Sequence, residues 1–122
     1  MADTTRKLVV VVTKGIDPEL SSVAFTIANG GVTAGLEVFV FLTSTAIDLV
    51  RKGGHSMTHV APLDPLAQLV SDFQSRGGVI WACPPCVKSR GYEQADLIAG
   101  VVIVEASAMH AEIKAGAATL SF

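Results

Sequence analysis

A chain of 122 residues, half of them apolar and 16% charged, is long enough to build one core of its own and greasy enough to have apolar surface left over for other copies of itself. A formal net charge of -2 and a pI near 5.8 provide no basic field for a nucleic acid, which argues against DNA or RNA as a partner. No apolar run approaches the ~20 residues of a membrane span, and the first seven residues lead into a short valine run with no small-residue cleavage site, so the expected location is cytoplasmic.

Leu8 to Val12 is a continuous apolar run too short for a helix and closed by Thr13-Lys14-Gly15, which predicts a strand buried on both faces. Asp17 then suits a helix N-cap with Pro18 at the first helical position. Leu20, Val23, Ala24, Ile27 and Ala28 follow helical spacing, and Gly30-Gly31 or Gly35 supplies the stop. Glu37 to Leu42 is the second strand, and Thr43-Ser44-Thr45 is suited to capping a short helix from Ala46 to Lys52 in which Asp48, Arg51 and Lys52 form a solvated face. His55 to Asp64 has no clear period and contains Pro62, so it reads as a loop long enough to border a site.

Leu66, Leu69, Val70 and Phe73 give a helix from Pro65 to Ser75, stopped by Gly77-Gly78. Val79 to Ala82 is the third strand, running into a Cys-x-x-C turn at Cys83-Pro84-Pro85-Cys86. Lys88 to Ala95 is weakly patterned, with a short helix broken at Gly91, and Asp96 starts another candidate. Val101 to Val104 is the fourth strand, Ala108 to Lys114 a last helix, and Ala117 to Phe122 a terminal strand. Strand and helix patterns alternate throughout, so the class is α/β with a mainly parallel sheet, as one domain over residues 1–122.

In an open α/β sheet, ligands gather outside the carboxyl ends of the strands. That rule puts Thr13 to Gly15, Thr43 to Thr45, Cys83 to Cys86 and Glu105 to Ser107 on one rim. Cys83 and Cys86 are the chain's two cysteines, and two thiols at this spacing in a reducing compartment point to catalysis, redox chemistry or metal binding before a structural staple. Cys83 reads as a nucleophilic or sulfur-carrying thiol, with Cys86 able to resolve it as a disulfide. Lys88 and Arg90 follow within a turn or so, where either could stabilise a thiolate. Lys14, beside Gly15 and ahead of a helix start, could meet an anion. The bland alternative for the cysteines is a pair of small apolar side chains packed at a strand end. His55, His59 and His110 lack the paired spacing that would complete a zinc site, so no metal is expected. Trp81 is expected in the core or a subunit interface, and His110 on the surface. The motif follows two complete βα units, which argues against a thioredoxin topology.

Val10 to Gly15, Ala34 to Thr43 and Gly77 to Cys83 resemble, respectively, the opening strand and turn, the second strand and the cysteine strand of the DsrE/DsrF-like family. The resemblance covers nearly the whole chain. It implies a flavodoxin-like three-layer sandwich whose mainly parallel sheet has about five strands, and assembly as a homotrimer or homohexamer. It further implies a cysteine that takes sulfane sulfur as Cys-S-SH from a donor protein and hands it to an acceptor protein without a cofactor. In the family's sulfur carriers one cysteine precedes an Arg-Gly pair by a short helical segment. That spacing falls on Cys83 with Arg90-Gly91. Cys86 matches a second cysteine present in some members. Two other functions remain open beside sulfur transfer: a non-catalytic oligomeric binding or scaffold protein, and a dithiol oxidoreductase using the Cys83/Cys86 pair.

Overall fold

Alternation along the first three strands sends two different sets of apolar side chains to opposite sides of one sheet, and each set has to be covered. In a computed structural model, which describes residues 6–54 and 57–122, the sheet has five strands: β1 (Lys7–Val12), β2 (Glu37–Leu42), β3 (Val79–Ala82), β4 (Val102–Ile103) and β5 (Ala118–Ser121). Their order is β4-β3-β2-β1-β5, and every neighbouring pair is parallel. Helices α1 (Glu19–Thr33), α2 (Leu66–Ser75), α3 (Pro84–Ser89) and α4 (Ala106–Lys114) complete an α/β architecture with helices on both faces. The expected fold class is the one found.

On the first face, Leu8, Val10, Val12, Val38, Val40, Leu42, Ile80 and Ala82 pack against α1, α2 and α3. Phe25 of α1 and Phe73 of α2 meet edge to face there, with ring centroids 5.9 Å apart. On the second face, Val9, Phe39 and Phe41 pack against Met109 of α4, with Val79, Trp81, Cys83 and Ile113 at the margin. Lys7 clips the far end of α4 to β1 through an ion pair with Glu112, 2.9 Å from Nζ to Oε2. The valine run of β1 is therefore buried on both faces, as its composition predicts. Among the described residues, no helix is long and apolar enough to cross a membrane.

Four local expectations change. Pro18 is extended, at ψ 136°, and takes the N-cap position, so α1 begins at Glu19. Of the two expected stops, the helix passes the first, Gly30-Gly31, and ends before the second, Gly35, whose φ of +92° suits glycine. Gly31 is a contact residue instead of a stop: a Cβ there would lie 3.0 Å from Val38 Cγ2 and 3.2 Å from Leu8 Cδ2. The third change is at Ser44–Val50, a 3₁₀ segment instead of an α-helix. Three residues per turn stack Ala46 on Leu49 and Ile47 on Val50, and all four are buried. Finally, the Cys-x-x-C stretch is no turn: α3 starts inside it at Pro84, because two prolines with φ already near the helical value fit the first turn.

The close approach at Gly31 makes a paired test. Gly31→Val should destabilise the protein by about 1–3 kcal/mol through overpacking against β1 and β2. Gly30→Ala, one residue away with open space around its Cβ position, should stabilise it by up to about 1 kcal/mol. Urea unfolding of the two variants beside the parent measures both.

Candidate functional site

All five strands are parallel, so their carboxyl ends form one rim. The chain leaves β1, β2 and β3 toward the first face, but it leaves β4 into α4 on the second. β3 and β4 are neighbours. Between their tips the two connections part to opposite faces, the topological position at which α/β proteins hold ligands. Cys83 stands at the tip of β3, and Glu105, the N-cap residue of α4, follows the tip of β4.

Cys83 is held from both sides. Its N–H donates to the Leu42 carbonyl at 3.0 Å, extending the β2–β3 ladder by one residue, and its carbonyl accepts the first helical hydrogen bond of α3 from Val87, also at 3.0 Å. The alternation of β3 sends its side chain to the second face with Val79 and Trp81, whereas Cys86 packs against the first-face core. The pair thus straddles the end of β3. Both thiols are free and half-buried. Trp81 stacks on Phe39 on the same face, with ring centroids 4.9 Å apart and planes 30° from parallel.

Burial pushes the Cys83 thiol above the ordinary cysteine value. The Cys86 backbone N–H pulls it down, and the Cys86 thiol and the Glu105 carboxylate push it up again. That N–H is the first one α3 possesses, since Pro84 and Pro85 have none. The charged groups acting on the sulfur are acidic, so the resting group is a protonated thiol.

The expected cations are placed elsewhere. Arg90 turns away to Asp48, with Nε 3.8 Å from Oδ1, and donates from Nη1 to the Cys86 carbonyl at 3.4 Å. Lys88 is exposed on the last turn of α3. Lys14 is exposed beyond β1, two strand spacings or ~10 Å across the sheet from the Cys83 strand. Its loop is fixed by the buried Ser21, whose hydroxyl donates to the carbonyls of Lys14 and Gly15. Thiolate stabilisation of Cys83 by Lys88 or Arg90 is therefore not what these contacts provide. His59 donates to the Leu63 carbonyl within its own loop, His110 is exposed on α4, and His55 lies outside the described residues.

Asp48 is no solvated helix residue. It accepts a 2.7 Å hydrogen bond from the Tyr92 hydroxyl, and the Arg51 guanidinium sits 5.3 Å from the Tyr92 ring centroid. Asp48, Arg51, Arg90 and Tyr92 thus tie the end of α3 to the 3₁₀ segment, with the Cys86 carbonyl inside the network. Glu105 could have been picked out from the sequence by its place directly after the fourth strand; the link from Asp48 to Tyr92 spans 44 residues and leaves no local pattern.

The fold and the site together define a small α/β protein with a half-buried thiol at the point where its sheet connections diverge. Residues 6–122 match the DsrE/DsrF-like family, and the chain belongs to that family. Among solved structures, the ychN protein from E. coli is similar at 19% identity and a TM-score of 0.72, covering 97% of this chain and 100% of that one. Protein MTH1491 from Methanobacterium thermoautotrophicum, of unknown function, is similar at 16% identity and a TM-score of 0.75, over 96% and 99% of the two chains. The conserved protein BT1422 from Bacteroides thetaiotaomicron, also of unknown function, shows 16% identity and a TM-score of 0.67, over 95% and 94%. At these identities the likeness is one of fold. No curated protein sequence matches the chain.

The network beside α3 has a direct readout, because Tyr92 is the chain's one tyrosine. The hydrogen bond to Asp48 raises its pKa, burial and the Asp48 charge add to this, and Arg51 and Arg90 oppose it. Tyrosinate absorbance should therefore rise on the alkaline side of an ordinary tyrosine. In Asp48→Asn the inflection should move to lower pH, since the negative charge that disfavours tyrosinate is gone while both arginines remain.

Proposed function

We propose that this protein is a sulfur carrier in which Cys83 accepts sulfane sulfur as a persulfide and passes it to an acceptor protein. The observation that carries the reading is the position of Cys83: a free, half-buried thiol with a fixed backbone, at the β3–β4 divergence of the sheet. Membership of a family associated with sulfur relay supports it. The Cys83 thiolate attacks the outer sulfur of a donor persulfide; a sulfur–sulfur bond forms on Cys83, the donor's own sulfur–sulfur bond breaks, and the donor leaves as a thiolate. Transfer onward repeats the exchange with the acceptor thiol as nucleophile, and no cofactor takes part.

Because the resting thiol is protonated, loading depends on removing that proton once the donor has docked. In this reading the exposed Lys88 and Lys14 are the cations that an approaching anionic donor or acceptor would meet, and Arg90, paired with Asp48, fixes the end of α3 beside Cys86. Assembly as a homotrimer or homohexamer fits the exposed Leu20 and Ile27 on α1, Val102 on β4 and Leu120 on β5; sedimentation velocity reads the subunit number.

Loading is best measured in Cys86→Ser, where Cys83 is the remaining cysteine. Anaerobic incubation with a series of sulfane-sulfur donors should add one sulfur atom to the intact mass, and a Cys83→Ser, Cys86→Ser protein should gain nothing. No Cys83-dependent gain with any donor would sink the carrier reading. The pH dependence checks the electrostatics separately. Alkylation of Cys83 should be slow at neutral pH and accelerate on the alkaline side of an ordinary cysteine. Glu105→Gln should shift that rise to lower pH, because a neutral neighbour no longer opposes the thiolate.

A further inference from the structure

We propose that Cys86 discharges the Cys83 persulfide as hydrogen sulfide, so that this chain reduces sulfane sulfur to sulfide and leaves a Cys83–Cys86 disulfide. The proposal rests on the carrier reading of Cys83 and adds a product to it. Three features of the site support it.

The first is proximity. Cys83 is the N-cap residue of α3 and Cys86 its third helical residue, so the two stand one turn apart at the start of the helix. The Cys86 thiol is near enough to act on the Cys83 sulfur and push its pKa up. A thiol at that range is an intramolecular nucleophile for anything built on Cys83.

The second is rigidity. Pro84 and Pro85 have their φ angles set by the ring, so little chain entropy is lost on closing the loop between the sulfurs. The Cys86 carbonyl accepts from Ser89 Oγ at 3.1 Å and from Arg90 Nη1 at 3.4 Å, and Arg90 is held by Asp48. Cys86 is therefore fixed where it stands.

The third is direction. Cys83 belongs to the second-face cluster and Cys86 packs on the first-face core. In the proposed discharge Cys86 would approach the Cys83 sulfur from the first-face side and the outer sulfur would leave on the second, the in-line arrangement that displacement at sulfur favours.

The step balances. Cys86 gives up its thiol proton and, as thiolate, attacks Cys83 Sγ. The Cys83–Cys86 bond forms as the bond from Cys83 Sγ to the outer sulfur breaks, and that sulfur departs with the electron pair as hydrosulfide, which takes up the proton. Two thiols are oxidised to a disulfide and one sulfane sulfur is reduced to sulfide. A dithiol reductant then attacks the disulfide and restores both thiols. The chain would thus stand between a reaction that supplies sulfane sulfur and one that regenerates the dithiol oxidised in restoring Cys83 and Cys86.

The test is anaerobic treatment of the reduced full-length chain with one equivalent of inorganic polysulfide, reading sulfide release and intact mass together. The parent should release sulfide and end two hydrogens lighter, as the disulfide. Cys86→Ser and Cys86→Ala should keep one added sulfur on Cys83 and release sulfide on the order of tenfold more slowly or less. If the parent also keeps the added sulfur and matches the Cys86 variants in sulfide release, the discharge step is overturned and the carrier reading stands. If Cys83 gains no sulfur in either Cys86 variant and the parent releases no sulfide, both fall.

Discussion

A sheet that is apolar on both sides needs cover on both sides, and in this chain that requirement decides where the chemistry sits. Three successive connections cover the first face, burying Val10, Val40 and Ile80 under α1 and α2. Val9, Phe39 and Phe41 on the other face would be left in water if the last connection did the same. The chain after β4 therefore crosses to the second face, lays Met109 and Ile113 over them, and returns to the opposite edge as β5. The divergence at the tips of β3 and β4 is the by-product of that crossing. Cys83 lies there because it is the next residue of β3 on the face that α4 covers.

Electrostatics at the site follow from the same crossing. Placing the start of α4 after β4 brings Glu105 toward a thiol that is already partly desolvated, and both effects favour the protonated form.

Much of this architecture was legible in the sequence. Short apolar runs closed by glycine and polar residues, with alternation in the tail, marked all five strands, and Cys83 stands at the carboxyl end of β3 as the strand-end rule placed it. The exceptions share a cause: each depended on contacts between distant segments. Nothing local to Gly31 tells a stop from a close approach, because Leu8 and Val38 decide it. Asp48 reads as a solvated charge until Tyr92 and Arg90 are brought to it by packing of α3 on the 3₁₀ segment. Arg90 itself was expected to face the thiol on spacing alone. Spacing fixes how far along the helix it lies, and the competing carboxylate of Asp48 fixes which way it turns. The Cys-x-x-C stretch was read as a turn, yet its two prolines, which lack N–H groups, fit the first turn of a helix, where that lack costs least.

β4 is two residues long, against six for β1 and six for β2. One side of the divergence is therefore held to the sheet by a very short ladder, while the other side, β3 with Cys83, is tied into β2 and α3. Local opening costs least where few backbone hydrogen bonds must break together. The β4 edge and the start of α4 should accordingly exchange their amide protons well before the strands that carry the cysteine. The thiol is thus mounted on the rigid side of the β3–β4 divergence and the Glu105 carboxylate on the compliant one.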